Sequence, residues 1–124
     1  MQIHHVAIIA SDYARSKDFY NRILGFEIIR ETYRAERESY KLDLKVGDAQ
    51  IELFSFPKPP PRPSRPEACG LRHLAFVVPD MDQTRSDLLA HGLDLEEIRF
   101  DVLTGKRFFF FRDPDDLPLE IYEG

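Results

Sequence analysis

The segment Leu71-Arg72-His73-Leu74-Ala75-Phe76-Val77-Val78 repeats the N-terminal segment Ile3-His4-His5-Val6-Ala7-Ile8-Ile9-Ala10, with one histidine in the same register. A chain written twice must fold as two similar modules. Placing His5 over His73 also carries Asp12 onto Asp80, Ser16 onto Thr84 and Glu52 onto Glu120. Each half therefore holds a histidine and, at the same distance downstream, a glutamate. The frames of the two acids match, Gln50-Ile51-Glu52-Leu53-Phe54 and Pro118-Leu119-Glu120-Ile121-Tyr122. Strand alternation sets each acid on the face opposite its apolar neighbours.

The rest of each half follows one order. Residues 2–10 read as an Ile- and Val-rich strand buried on much of both faces, with His5 sharing a face with Ile3, Ala7 and Ile9. Ser11 and Asp12 supply capping side chains for a helix over 13–24, whose face carries Phe19, Tyr20, Ile23 and Leu24 and which Gly25 ends. Strands follow over 26–33, 40–46 and 49–56, with Gly47-Asp48 as a hairpin turn. The second half replays this as a strand over 71–78, a capped helix over 80–91 and strands over 94–100, 106–112 and 117–122. Between the halves, residues 57–66 hold six of the nine prolines and should run extended on the surface. The expected organisation is one α+β domain, residues 1–124, of paired βαβββ modules over 1–56 and 71–124 with a linker over 57–70.

Phe108-Phe109-Phe110-Phe111 would expose two rings if its sheet were covered on one side only. Both faces must be covered, one by the module's helix and one by a substrate pocket or a second subunit. Phe109 and Phe111 are taken as the pocket side, and a homodimer is expected. Arg72 and Arg107 are the cations placed nearest a substrate, within a larger set of Arg62, Arg65, Lys106 and Arg112 that could hold an anion.

Two His and two Glu suit a divalent transition metal, Ni, Zn, Co, Mn or Fe, with positions left for water or substrate. The one cysteine rules out a thiolate-rich structural zinc site and an intrachain disulfide. His5, Glu52, His73 and Glu120 are thus the expected ligands, and a glutamate is the expected base. His4 is assigned to the opposite strand face and set aside, His91 to a helix C-terminus, and Cys69 to a small buried position. The net charge of −5 argues against a general nucleic-acid binder. No segment is apolar enough to span a bilayer and no leader is evident, so a cytoplasmic protein with a small-molecule partner is expected.

The run 12–20 ending in Leu24-Gly25-Phe26, the frame Ile51-Glu52-Leu53-Phe54, the segment 64–73 and Asp113-Pro114-Asp115 followed by Leu119-Glu120 together resemble the vicinal oxygen chelate superfamily. The likeness is closest to its glyoxalase I-like branch of small bacterial YaeR-type proteins. It implies a cup-shaped mixed sheet around a metal, with ligands at His5, Glu52, His73 and Glu120, and a glutamate that shuttles a proton between adjacent carbons. By that analogy Glu120 comes first as the base and Glu52 second, and the activity is that of a lactoylglutathione lyase-like lyase or isomerase. Two positions that hold glutathione in glyoxalase I are Ile9 and Phe56 here. A metal-free binding protein of the bleomycin-resistance type, an epimerase, a thiol transferase and a dioxygenase are the competing readings within the same fold.

Overall fold

A computed structural model describes residues 1–124. The chain divides into two compact units, Met1–Pro61 and Arg62–Gly124, and no helix is long and apolar enough to cross a membrane. The boundary falls inside the proline-rich stretch. Its second half belongs with the second unit because Arg62 Nη2 donates to the carbonyls of Leu71 and Arg72 at 3.1 and 3.3 Å.

In the first unit, β1 (His5–Ala10), β2 (Glu27–Arg34), β3 (Ser39–Val46) and β4 (Ala49–Ser55) form a sheet in the order β1-β4-β3-β2. β1 runs parallel to β4, and the other pairs are antiparallel. Parallel neighbours need a crossover, which α1 (Tyr13–Asp18) begins. Asp12 caps it by accepting from the Arg15 N–H at 3.2 Å. The expected helix over 13–24 changes character at Phe19, where a π-helical turn, Phe19–Ile23, takes over and Leu24 N–H reaches the Phe19 carbonyl at 2.9 Å. Phe19 and Tyr20 are both buried there, against Ile8, Leu42, Leu44, Ile51 and Leu53 of the sheet's core face. Gly25, at φ +78°, turns the chain into β2.

The second unit repeats the plan with β5 (Leu74–Val78), α2 (Met81–Ala90), β6 (Arg99–Phe100), β7 (Arg107–Arg112) and β8 (Pro118–Glu123), ordered β5-β8-β7-β6. β5 is parallel to β8, and Asp80 caps α2 through the Gln83 N–H at 3.0 Å. Two four-stranded mixed sheets with few helices make the chain α+β, as the residue pattern implies.

Two expected strands are shorter than their pattern. The segment 94–98 is not a strand although the Glu96 N–H donates to the Phe110 carbonyl of β7 at 2.9 Å; Arg85 Nη1 takes the Glu96 carbonyl at 3.0 Å, and Asp94, Glu96 and Glu97 bring low strand propensity. β5 begins at Leu74 rather than at 71, because the carbonyls of Leu71 and Arg72 are held by Arg62. His73 therefore sits at the mouth of the strand.

The phenylalanine run corrects the assignment of faces. Phe109 and Phe111 are 0% and 1% exposed, in the core with Met81, Leu88, Leu119 and Ile121. They are structural, and the half-buried Phe108 and Phe110 occupy the other face. β1 is corrected as well, since Ile3 and Ile9 are exposed, so the His5 face of that strand is open in the chain.

Candidate functional site

In the first unit, register places Ala7 of β1, Glu52 of β4 and Asp43 of β3 in one row across the sheet, with Arg30 of β2 beyond. Paired residues share a face. Glu52 is 8% exposed, and its Oε2 lies 3.3 Å from His5 Nδ1. Lys41 Nζ stands 3.6 Å from Glu52 Oε1 and 3.5 Å from Asp43 Oδ1, and Arg30 Nε lies 3.6 Å from Asp43 Oδ2. Asp43 Oδ1 is buried without a hydrogen bond, so Lys41 is its charge partner at longer range. The buried carboxylates are thus matched by cations from β3 and β2.

His4 departs from its expected place. It precedes the strand, so alternation does not govern it, and its Nδ1 lies 2.9 Å from His5 Nδ1. One donor atom each from His4, His5 and Glu52 falls within 4.8 Å of the others, which makes a three-residue cluster able to hold a metal ion. The sequence offered a signal for this, the His-His pair itself, but strand alternation argued it away.

The second unit builds the same pair on the same scaffold. Glu120 of β8 lies in register between Ala75 of β5 and Phe110 of β7, is 9% exposed, and sets Oε2 3.0 Å from His73 Nε2. The Phe110 ring stands edge-on to the His73 imidazole with centroids 5.1 Å apart. Arg99 covers the rings of Phe108 and Phe110 at 5.1 and 5.3 Å. A cavity of about 300 Å³ opens beside His73 and Phe110.

The two histidine–glutamate pairs have different walls. On the face of β3 that Glu52 shares, the residues in register with Phe54 and Glu52 are Lys41 and Asp43. On β7, the residues in register with Tyr122 and Glu120 are Phe108 and Phe110. The neighbouring strand is ionic beside Glu52 and aromatic beside Glu120.

Other expected residues divide clearly. Arg72 lines the cavity beside His73. Arg107 does not line it. Its guanidinium is clamped by Glu123 at 2.9 Å and Asp82 at 3.0 Å, and the carboxylates raise its pKa further above the ordinary range. Strand alternation places Arg107 with Phe109 and Phe111, on the core side of the sheet. Cys69 is exposed rather than buried. His91 sits where expected, with Nδ1 2.9 Å from the Asp87 carbonyl at the end of α2. Sequence reasoning missed Lys41, Asp43 and Arg99, because a lone charge on a strand carries no mark of what lies across the ladder.

Comparison with known proteins gives the same picture over the whole length. The chain is 62% identical to the uncharacterized protein YwkD of Bacillus subtilis over 122 residues, covering 98% of this chain and 95% of that one. It is 61% identical to the uncharacterized protein YaeR of Escherichia coli over 123 residues, with the same coverage. The crystal structure of SMU.1112c superposes with a TM-score of 0.96 at 52% identity, covering 99% of this chain and 98% of that one. The fold alone extends to a lactoylglutathione lyase from Agrobacterium tumefaciens, at a TM-score of 0.74 and 22% identity over 99% of this chain and 93% of that one. Residues 2–121, which include all four expected ligands, match one family model, and the chain belongs to the Glyoxalase/Bleomycin resistance protein/Dioxygenase superfamily.

Proposed function

We propose that this protein is a divalent-metal-dependent lyase or isomerase resembling glyoxalase I, with His5, Glu52, His73 and Glu120 as ligands of one Ni, Zn, Co, Mn or Fe ion per site. One observation carries the reading. Each repeat holds a buried glutamate whose carboxylate lies within 3.3 Å of an imidazole nitrogen, at matched positions. Two isolated core histidines would have no reason to find equivalent acids. The superfamily includes enzymes, and the donor chemistry, two nitrogens and two carboxylates without thiolate, fits a borderline divalent ion that keeps positions for substrate.

A divalent ion held there supplies polarisation of vicinal substrate oxygens, which acidifies the adjacent C–H. Glu120 is the residue assigned to take that proton and return it to the neighbouring carbon. Its only ion-pair partner is His73, whereas Glu52 also has Lys41 against its Oε1. A carboxylate with one oxygen unclaimed can receive and release a proton without first breaking a contact. Phe110, edge-on to His73, shields the pair from water on one side and holds the imidazole plane. The expected assembly is a homodimer, supported by the exposure of Ile9 and Val77, 53% and 70%, at equivalent positions of the two repeats.

The test is elemental analysis of tag-free wild type beside His73→Ala, Glu52→Gln and Glu120→Gln after dialysis and back-titration with single metals. Turnover is then measured on hemithioacetals and other vicinal-oxygen compounds. Near-stoichiometric metal in the wild type, lost in His73→Ala, is expected, with turnover in Glu120→Gln down about 10²–10⁴-fold. Wild-type protein that retains no metal would overturn the reading in favour of a metal-free binding protein.

A further inference from the structure

The cavity beside His73 has a charge opposite to that of the molecule. The chain as a whole carries −5. Its cavity is lined by five arginines, Arg62, Arg65, Arg72, Arg99 and Arg112, against two acidic residues, Glu67 and Glu96. Nothing in the average composition puts that many arginines at one opening.

These arginines are weakly neutralised. Arg72 approaches Glu67 at 3.7 Å, Arg99 approaches Glu96 at 3.8 Å, and Arg112 approaches Asp116 at 3.9 Å, all at the edge of ion-pair range and with exposed acidic partners. Such pairs are worth little and exchange readily. Arg62 spends its donors on the Ser64 hydroxyl and two backbone carbonyls, which leave its charge uncompensated. Arg65 has no acidic partner. By contrast Arg107, outside the cavity, is doubly clamped at 2.9 and 3.0 Å. The second unit can pair an arginine tightly and does not do so here.

The wall between these cations is apolar. Phe110 and Pro118 line it with His73, and the Arg99 guanidinium carbon stands 5.1 and 5.3 Å from the centroids of the perpendicular Phe108 and Phe110 rings, which hold its charge at the opening. About 300 Å³ is room for a small organic molecule and lies at the low end for ligand cavities. Converging guanidiniums select planar or tetrahedral oxyanions by forked hydrogen bonds. We propose that this cavity is the substrate's anion subsite, and that it takes a small organic acid with two or more negative charges, phosphorylated or dicarboxylic. The anionic end lies among Arg65, Arg72, Arg99 and Arg112, and the reacting carbons lie toward His73 and Glu120. This rests on the metal-site reading for the placement of the reacting end, and on the cavity alone for the choice of anion.

The cavity claim is tested on metal-stripped protein, so that it stands or falls apart from the metal. Binding of 2-phosphoglycolate, malate and acetate is measured by calorimetry to wild type, to the double variant Arg65→Ala/Arg72→Ala, to Arg99→Ala, and to Arg22→Ala as a charge-loss control whose side chain pairs with Asp18. These arginines are exposed, so the variants should fold, and circular dichroism checks it. At least one dianion is expected to bind wild type and Arg22→Ala more tightly than acetate does. Its affinity should weaken by about tenfold or more in the double variant and in Arg99→Ala, and weaken again with added salt. Preference for phosphoglycolate over malate, or the reverse, identifies the anion. Absence of dianion binding in wild type, or equal affinity in the arginine variants, overturns the proposal. Glu120→Gln separates the two readings, since it should lose metal while still binding the dianion in stripped form. Dianion binding with no metal uptake would sink the metal reading alone.

Discussion

The two middle phenylalanines of β7 differ by one position in the chain and should differ several-fold in what their removal does. Phe109 is fully buried, stacks at a tilt with Phe111 at 6.2 Å, and lies under the Arg85 guanidinium at 4.8 Å. Phe109→Ala removes a whole ring from a packed interior, at a cost of about 3–5 kcal/mol. Phe110 is half-buried and gives up an edge contact with His73 and a cation–π contact with Arg99, together about 1–2 kcal/mol. For a chain of this size a loss of 1 kcal/mol lowers the melting temperature by about 4 °C. Phe109→Ala should therefore melt about 12–20 °C below wild type and Phe110→Ala about 4–8 °C below. Calorimetric or far-UV dichroism melts of metal-free protein measure both. Phe109→Leu, which keeps most of the volume, should recover much of the loss. If Phe110→Ala melts as low as Phe109→Ala, the assignment of faces on β7 is wrong, and so is the aromatic wall beside Glu120.

Three further expectations follow from other parts of the structure. Asp113 is buried and its Oδ1 accepts from the N–H groups of Asp115 and Leu117, both at 2.9 Å, so Asp113→Ala should cost about 2–4 kcal/mol in urea unfolding and Asp113→Asn distinctly less. The Glu31 carboxyl is held below the ordinary range by hydrogen bonds from Lys17 and then Tyr13, so the unfolded chain binds more protons just below the usual carboxylate range. Its contribution is present above that range and lost as pH falls, and Glu31→Gln should shrink the stability difference between pH 6 and pH 3 in chemical unfolding. Light scattering at micromolar concentration should give a dimer for wild type and a monomer for Ile9→Asp/Val77→Asp, and a wild-type monomer would remove the basis for a subunit contact at that face.

Most of the fold was legible because it depends on signals that act over a few residues. Asp12 and Asp80 cap helices as their positions announce, and Gly25 and Gly92 end helical segments at positive φ. The repeat named the two His–Glu pairs for the same local reason, since matched frames on matched strands produce matched geometry. What stayed hidden depends on cross-strand register and on competition for single carbonyls. The arrangement of Phe108 to Phe111 follows from pairing Phe110 with Glu120, and no property of four identical side chains reveals which two face the core. Beside the short β6, Glu96 gives its N–H to the Phe110 carbonyl of β7 but its own carbonyl to Arg85, a contact between a helix and a loop that no periodicity encodes. Arg107 and Arg72 were alike as cations in the sequence, and only their partners part them.

The duplication also explains how one scaffold can divide a task. Each repeat supplies an imidazole at or just before its first strand and a carboxylate on its last, so both offer the same donor types. The neighbouring strand is where they part. Lys41 and Asp43 on β3 surround Glu52 with fixed charge, whereas Phe108 and Phe110 on β7 give Glu120 an apolar neighbour and a cavity. Lys41 on the neighbouring strand holds the Glu52 carboxylate by charge, whereas Phe108 and Phe110 on the neighbouring strand offer the Glu120 carboxylate no competing charge. On the proposed metal-site reading, the first pair would anchor and the second would carry the proton transfer. Exchanging the walls tests this division: Phe110→Asp should reduce turnover with little loss of metal, while Asp43→Phe should release Lys41 from its second carboxylate and loosen metal retention. Equal losses of turnover and metal in both variants would show that the two halves share the work evenly.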